Sequence, residues 1–464
     1  MAPLHHQGSY RSSNLVIMAQ KCYTYSIMSD NNIEAAQHIV TQMAQGNFIA
    51  VEQRLANSIK QFLPEGKIQT TWQGLEQQVG TFKQQVRTHT FQMQQGSVEI
   101  VTCAFEKMSL DVNIMFNDTG EIASLNVTPE GAVEQQYNAI YEPPPYVRTN
   151  LFHEQEIQVG QGKWALPGTL SIPTSKGPFP AVVLVHGSGP TDRDETIPPN
   201  KPFRDIAWGL ASQGIAVLRY DKRTKVYGAQ MSEQLATLTV KEEVIDDALA
   251  AVKLLRNQSE IDSQQIFLLG HSMGGYLAPR IGVADPALAG LIILAGSARP
   301  LEDLILDQMT YILSLDGSDA TAQIAAIKEQ VARVKSLDLS PATPANELPF
   351  GVEAAYWLDL RAYQPEEVAR HLKQPMLILQ AESDYQVTQD DFNLWQNALN
   401  NRPDVQFKSY PGLYHLFIPI EGGKKATPAA YSIPGHVSEE VVNDIARWIE
   451  QTLKHAPEMP AQRQ

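Results

Sequence analysis

The chain has 464 residues, of which 43% are hydrophobic and 19% charged, and its formal net charge is −15. This length allows two or more domains, and the negative charge argues against a nucleic-acid groove or an anionic membrane surface as a partner. The two cysteines, Cys22 and Cys103, exclude a disulfide framework and a cysteine zinc site, and no apolar run reaches the roughly 18 residues of a membrane span.

The first 30 residues predict a disordered extension. Their apolar patch at 15–19 is short and has polar surroundings, so it does not fit the core of a signal peptide. We therefore expect a cytoplasmic protein.

Residues 31–136 predict a small α+β domain. Apolar residues recur at helical spacing over 33–43, and Pro64 is placed to open a later helix. The period then changes to two at 110–117, and a hairpin turn follows at 117–120. Helices followed by a strand meander are typical of a curved sheet that wraps a helix.

A proline-rich linker at 137–150 follows, and its three successive prolines predict an extended, stiff connector. From 151 to 456, apolar strand-like runs alternate with helical patterns, which predicts a parallel sheet with helices on both faces. Between 297 and 374 this alternation stops, and helical patterns separated by prolines predict a helical cap over a site. Tyr356 and Trp357 are candidates to line that site, although a place in the cap core is the more ordinary interpretation.

The segment 270–274, with the sequence GHSMG, follows the apolar run 266–269 and precedes a helical pattern. A serine between two glycines in a strand, turn and helix is typical of a nucleophile elbow, which presents the hydroxyl of Ser272 at the tip of the turn. The five letters alone arise by chance in roughly one chain in seven of this length. The flanking strand and helix therefore carry the prediction.

A serine hydroxyl is a poor nucleophile near neutral pH, so it needs an imidazole to take its proton and a carboxylate to orient that imidazole. The strand-like run 375–380 leads to Asp384, our candidate acid, with Glu382 as its rival. The strand-like run 405–410 ends shortly before His415, our candidate base. Weaker rivals for the base, because none of them ends a strand after the acid loop, are His271, His371 and His436.

The oxygen that becomes negative during acyl transfer needs an anion site built from backbone N–H groups. The buried-strand run 181–185 opens into the loop 186–190, and we expect the N–H groups of Ser188 and Met273 to form this oxyanion hole. Four charged residues near the loop could orient substrate, but salt bridges that brace the loops are the favoured interpretation: Arg193, Asp194, Asp221 and Arg223.

From about Phe152 to its end, the chain resembles an α/β-hydrolase of the bacterial serine esterase branch that carries a small N-terminal domain of unknown function. The resemblance rests on the elbow and on three further segments, 186–195, 219–223 and 380–387. It implies a mostly parallel central sheet with helices on both faces, a helical cap and a Ser-His-Asp triad without a cofactor. It also implies that the small α+β domain in front is cystatin-like or nuclear-transport-factor-like.

Three functions compete at this point. The first is a carboxylesterase that cleaves small to medium acyl or aryl esters, with water as second substrate, through an acyl-enzyme. The second is a serine peptidase, acyl-peptide hydrolase or thioesterase with the same triad. The peptidases rank lower because the front domain is too short for the β-propeller of the prolyl oligopeptidase type. The third is a non-catalytic binding or assembly protein.

The expected partners are a small-molecule ester and water, with neither nucleic acid nor a membrane, and a homo-oligomer is left open. No metal is expected, because no histidine pair has ligand spacing with a nearby carboxylate.

Overall fold

The computed structural model describes ten stretches of the chain, and contacts divide the chain into two units, Met1–Asn138 and Ala139–Gln464. The extension predicted at 1–30 and the helix start predicted at Pro64 lie outside the described residues. The described stretches are 32–60, 65–93, 96–117, 119–134, 141–232, 235–315, 319–361, 363–420, 422 and 425–455.

The first unit places helices before strands. Its helices are 32–44, Phe48–Glu52, Asn57–Lys60 and Lys67–Val79. Its four-stranded antiparallel sheet has the order β1-β2-β3-β4, with β1 at Phe82–Met93, β2 at Gly96–Phe105, β3 at Ser109–Phe116 and β4 at Ile122–Pro129. One sheet face buries Val101, Cys103 and Val112 with Ile39 and Trp72 of the helices. The predicted α+β fold is therefore confirmed.

The second unit is built on an eight-stranded sheet with the order β12-β11-β10-β9-β7-β8-β6-β5. The strands from β12 to β8 in this order are parallel, and the hairpin of β5 and β6 joins them antiparallel at one edge. The predicted mostly parallel sheet is thus confirmed. The strands are β5 Phe152–Val159, β6 Leu166–Pro173, β7 Phe179–Val185, β8 Ala216–Tyr220, β9 Ile261–His271, β10 Gly290–Leu294, β11 Met376–Ala381 and β12 Val405–Tyr410.

Helices cover both faces of this sheet. Successive residues of the central strands are therefore buried on opposite sides. Val183 of β7 packs into the core that includes the helices Asp246–Arg256 and Met273–Ala284. Its neighbours Val182 and Leu184 pack into the opposite core. A strand buried on both faces needs a continuous apolar run. The remaining helices of these two layers are Pro202–Ala211, Arg223–Ser232, Gln389–Leu399 and Glu439–His455.

A group of helices lies between β10 and β11 in the chain and has an apolar core of its own. That core includes Ile305, Met309, Val331 and Trp357. The helices are Leu301–Ser314, Thr321–Lys335 and Ala354–Leu360, followed by Pro365–Arg370, whose Ala369 packs into the core of the sheet instead. We call the segment 301–370 the cap. Of all the helices described in the chain, none has the length and apolarity needed to cross a bilayer.

The turn from β9 into the helix Met273–Ala284 leaves no space for side chains on its glycines. A Cβ on Gly270 would lie 2.2 Å from the carbonyl oxygen of Gly274, and a Cβ on Gly274 would lie 2.2 Å from that of Val185. Ser272 occupies the tip with φ 52° and ψ −115°, a backbone conformation that non-glycine residues rarely adopt. Because carboxyl ends of parallel strands meet at one edge, this tip faces the loops that follow β7, β11 and β12.

We predict that Gly274→Ala destabilises the second unit by roughly 1–3 kcal/mol or more, because the new methyl group forces β7 and the turn apart. The matched control is Gly228→Ala, since a Cβ there meets nothing within 4 Å; its effect should stay within about 0.5 kcal/mol. Urea denaturation gives both free energies of unfolding. Equal values for the two variants would contradict the steric explanation.

Candidate active site

Ser272 lies at the wall of a cavity of about 480 Å³. Its own backbone is fixed by two hydrogen bonds, one from its N–H to the carbonyl of Leu294 and one from the N–H of Tyr276 to its carbonyl, each 2.9 Å long. The strained turn therefore holds the serine at one place, with its side chain directed away from the sheet. Strain of this kind persists only where the surroundings over-determine the conformation.

Asp384 and His415 form a buried contact beside the same cavity. The imidazole Nδ1 lies 2.6 Å from Oδ2 of Asp384, and His415 lines the cavity. The other carboxylate oxygen accepts the N–H groups of Gln386 at 2.7 Å and Val387 at 3.2 Å. With the proton on Nδ1 directed at the carboxylate, Nε2 is left as the basic nitrogen.

The structure thus joins the predicted base and acid directly and brings the predicted nucleophile to the same cavity. In the described part of the chain, no hydrogen bond connects Oγ of Ser272 with the His415 ring. Such contacts are often long in a substrate-free site and tighten when substrate binds.

The rivals weighed from the sequence lie elsewhere or make different contacts. Glu382 is exposed and accepts a hydrogen bond from the Ser409 hydroxyl at 2.7 Å. His371 is exposed, and His436 contacts Asp205 at 3.2 Å. His271 is buried beside the site and contacts Glu195.

Two backbone N–H groups are available at the expected oxyanion position. Met273 is the first residue of its helix, so its N–H has no intrahelical partner and stands at the positive end of the helix dipole. Ser188 lines the cavity, and its N–H has no partner among the described residues. The preceding N–H, that of Gly187, is already donated to Oε1 of Glu195 at 2.6 Å. The N–H groups of Ser188 and Met273 thus stay predicted donors to a negative oxygen, whereas that of Gly187 is already used.

The cap supplies most of the apolar cavity wall. Tyr356 and Trp357 both line the cavity, and Trp357 is also buried in the cap core. Further apolar lining residues from the cap are Leu301, Leu304, Ile305, Phe350 and Val352.

A buried polar chain connects the cap to the loop after β7, and no pattern in the sequence indicated it. The Lys222 ammonium donates to the carbonyl of Gly187 at 2.9 Å and contacts Oε1 of Glu243 at 2.7 Å. The hydroxyl of Tyr356, from the cap, donates to the other oxygen of Glu243 at 2.8 Å. Burial alone would raise the pKa of Glu243, but the facing Lys222 outweighs it and lowers that pKa. The lowered pKa favours the carboxylate form of Glu243 at this buried position.

The four charged residues near the loop after β7 make ion pairs outside the cavity lining. Arg193 contacts Asp221 at 3.1 Å, and Arg223 contacts Asp247 with Nε and Oδ2 3.0 Å apart. Asp194 contacts Arg204 at 2.7 Å and is also bonded to the buried Arg219. No group of three or more His, Cys, Asp or Glu side chains in the described stretches is arranged to hold a metal ion.

A mostly parallel sheet with an elbow serine, a following acid and histidine, and a cavity at the carboxyl ends of its strands defines an α/β-hydrolase. Residues 178–421, a little over half of the chain, match the family described as serine aminopeptidase, S33. The chain belongs to this family and is a serine hydrolase. Residues 36–125 match a second family, described as a protein of unknown function, DUF3887.

The chain is also similar to a relative over most of its length and to solved structures over part of it. Esterase EstD of Thermotoga maritima is 36% identical over 413 residues, which cover 89% of this chain and 93% of the relative. An acylaminoacyl peptidase of Pyrococcus horikoshii superposes over 82% of this chain and 57% of its own, with 15% identity and a TM-score of 0.46. The superposition with Est1E of Butyrivibrio proteoclasticus covers 64% of this chain and 99% of Est1E, with 15% identity and a TM-score of 0.42.

We predict that Lys222→Met lowers the free energy of unfolding by about 3–5 kcal/mol, because it leaves the buried carboxylate of Glu243 without its counter-ion. The control is Lys241→Met, which removes an ion pair whose side chains are 62% and 36% exposed; its cost should be at most about 1 kcal/mol. Adding Glu243→Gln to Lys222→Met should recover part of the loss. Chemical denaturation of the three variants measures these values, and a Lys222→Met cost no greater than that of Lys241→Met would refute the argument.

Proposed function

We propose that Ser272, His415 and Asp384 are the catalytic triad with which this serine hydrolase cleaves carboxylic esters through an acyl-enzyme. Nε2 of His415 takes the proton of Ser272 as its oxygen attacks the ester carbonyl carbon, and then gives that proton to the departing alcohol. Water repeats the sequence on the acyl-enzyme and releases the acid and the free serine. Asp384 holds the ring and stabilises its charged form.

The observation that carries this proposal is the buried contact of 2.6 Å between His415 and Asp384 on the cavity that Ser272 also lines. Such a contact fixes both the tautomer and the direction of the imidazole. The N–H groups of Ser188 and Met273 lie on the same cavity, where they would stabilise the negative oxygen of the tetrahedral intermediate.

The cavity supports small to medium acyl or aryl esters as substrates. Its volume of about 480 Å³ is at the small end of ligand pockets, and its cap wall is apolar. An uncharged ester fits such a wall without leaving an unpaired charge behind.

The family description as aminopeptidase makes amide substrates the second candidate. An aminopeptidase has to hold the α-ammonium group of its substrate, and a carboxylate is the natural partner. Three carboxylates line the described cavity. Glu195 and Glu243 are paired with His271 and Lys222, which leaves Glu353 on the cap as the one without an ion-pair partner among the described residues. We rank ester hydrolysis first, because Esterase EstD is similar to this chain over nearly its whole length.

The triad predicts a sharp contrast among three variants. Ser272→Ala should lower kcat for a nitrophenyl ester by several orders of magnitude, and Asp384→Asn should lower it by about 10⁴-fold because the imidazole loses its orienting partner. Glu382→Gln, the matched acid control on the same loop, should keep the wild-type kcat. Labelling by a fluorophosphonate should require Ser272. A fully active Ser272→Ala enzyme would end the proposal.

The ranking of substrates is tested with paired esters and aminoacyl anilides that carry the same chromophore. We expect a higher kcat/KM for the uncharged ester, because the cap wall is apolar and two of the three cavity carboxylates are already paired. Faster turnover of the aminoacyl anilide would reverse the ranking, and Glu353→Gln should then slow the anilide selectively.

A further inference from the structure

His271, the residue between the first glycine and the serine of the elbow, connects two loops of the site. Its Nε2 lies 2.9 Å from the backbone carbonyl of His415, and the two rings are 4.7 Å apart between centroids. Its Nδ1 lies 2.8 Å from Oε2 of Glu195, and both side chains are at least nine-tenths buried. Oε1 of the same glutamate accepts the N–H of Gly187 at 2.6 Å. The pair therefore holds one backbone group of the histidine loop and one of the loop after β7.

The contacts define where the protons lie. A carbonyl oxygen only accepts, so Nε2 of His271 carries a proton, and Nδ1 faces a carboxylate. Burial alone would lower the pKa of His271, but Glu195 and the carbonyl of His415 outweigh it, and the pKa is raised. Burial alone would raise the pKa of Glu195, but the facing His271 outweighs it, and the pKa is lowered. Both shifts favour the charged forms, in which an imidazolium faces a carboxylate.

The other titratable groups around the pair do not replace either partner. His186, on the Glu195 side, is neutral, because burial lowers its pKa to about 4. The charge of Asp384, in the acid loop, raises the pKa of His271. The pKa of His186 is lowered by Lys222 and raised by Asp192. Glu195 also has φ 50°, a left-handed conformation that is strained for this residue and is held by these contacts.

A buried ion pair contributes little net stability, since an apolar pair of similar size does as well or better. It is required here for a different reason. The N–H of Gly187 and the carbonyl of His415 belong to loops rather than to a helix or strand, and a buried backbone group without a partner costs about 1–3 kcal/mol. A polar pair can satisfy both groups at once and fix their directions.

We propose that His271 and Glu195 are positioning residues for ester hydrolysis: His271 anchors the backbone of His415, and Glu195 anchors Gly187 so that the next N–H, that of Ser188, is directed into the cavity. This inference rests on the proposed function, because it assigns the two anchored loops to the base and to the oxyanion hole. In this role neither residue binds the substrate carbonyl or exchanges a proton with it, although both line the cavity.

Two double variants without a charge at either position distinguish an anchoring role of His271 from a role in packing alone. In Glu195→Gln/His271→Gln, the new side-chain amide at position 271 stands near the place of Nε2 and can still donate to the carbonyl of His415. In Glu195→Gln/His271→Asn, the shorter amide stands near the place of Nδ1 and cannot reach that carbonyl. Both lack a buried charge, and they differ by one methylene group.

The anchor predicts that the asparagine double variant has a kcat about 10- to 100-fold below that of the glutamine double variant, because an imidazole displaced by an ångström loses this much. KM for the same nitrophenyl ester should stay within about threefold, since both double variants present uncharged amides to the cavity wall. The control His436→Asn removes a histidine–carboxylate contact outside the cavity, that with Asp205, and should keep the wild-type kcat. Equal kcat values for two folded double variants would overturn the inference.

A pH profile supplies a readout that a packing role would not move. The raised pKa of His271 means that the ion pair is complete below the ordinary histidine value of 6.5 and is lost as pH rises through the higher folded value. Wild-type kcat should therefore fall on the alkaline side, where a neutral Nδ1 faces the Glu195 carboxylate. In Glu195→Gln the amide donates to a neutral Nδ1, so this fall should be absent. An unchanged alkaline limb would contradict the anchor, and this arm remains decisive even where the double variants fail to fold.

Failure of this inference and failure of the proposed function give different results. An active Ser272→Ala enzyme removes the function itself. An inactive Ser272→Ala enzyme together with equal double variants leaves the triad intact and removes only the positioning role.

Discussion

The structure depends on a steric constraint at one point, where the turn after β9 packs directly against the backbone of β7. The carbonyl of Val185 lies 2.2 Å from the place where a side chain on Gly274 would begin. Neither glycine of the turn can carry a side chain, and Ser272, midway between them, stands at the tip with a positive φ. The nucleophile candidate, the helix N-terminus behind it and the loop that follows β7 are brought together by this single close approach.

The loop after β7 is the second element that has to be fixed, and buried charges fix it from both sides. The carbonyl of Gly187 accepts from Lys222, and its N–H is donated to Glu195. Each of these charged groups is neutralised by a partner from another segment, Glu243 or His271. A loop without regular secondary structure thus has both backbone groups of one residue held by ionised side chains, which fixes the direction of the N–H groups that follow it.

Much of the fold and the identity of the site candidates could be predicted from the sequence, because both depend on local signals. Alternating apolar runs and helical patterns predict the parallel sheet, and the order of elbow, acid and histidine selects Ser272, Asp384 and His415. What the sequence could not reveal are contacts between distant segments. Glu382 and Asp384 stand two positions apart, and only folding exposes one to solvent and buries the other. The sequence offers His271 only as a weaker candidate for the base. It places Lys222 in a segment typical of the family, 219–223, but indicates no function for this residue. The partners of both residues lie in other loops, so no spacing rule could assign them.

Tyr356 is the point at which the cap and the loop after β7 are linked, through Glu243 and Lys222. The apolar lining residues Leu301, Ile305 and Phe350 belong to the same cap but have no place in that chain. Engineering of the enzyme for bulkier esters can therefore reshape the apolar wall without breaking that chain, provided that a hydroxyl is kept at position 356 and that the cap core around Ile305 stays filled. A cap grafted from another hydrolase would have to supply that hydroxyl as well, or the graft would disturb the loop after β7 through Glu243 and Lys222.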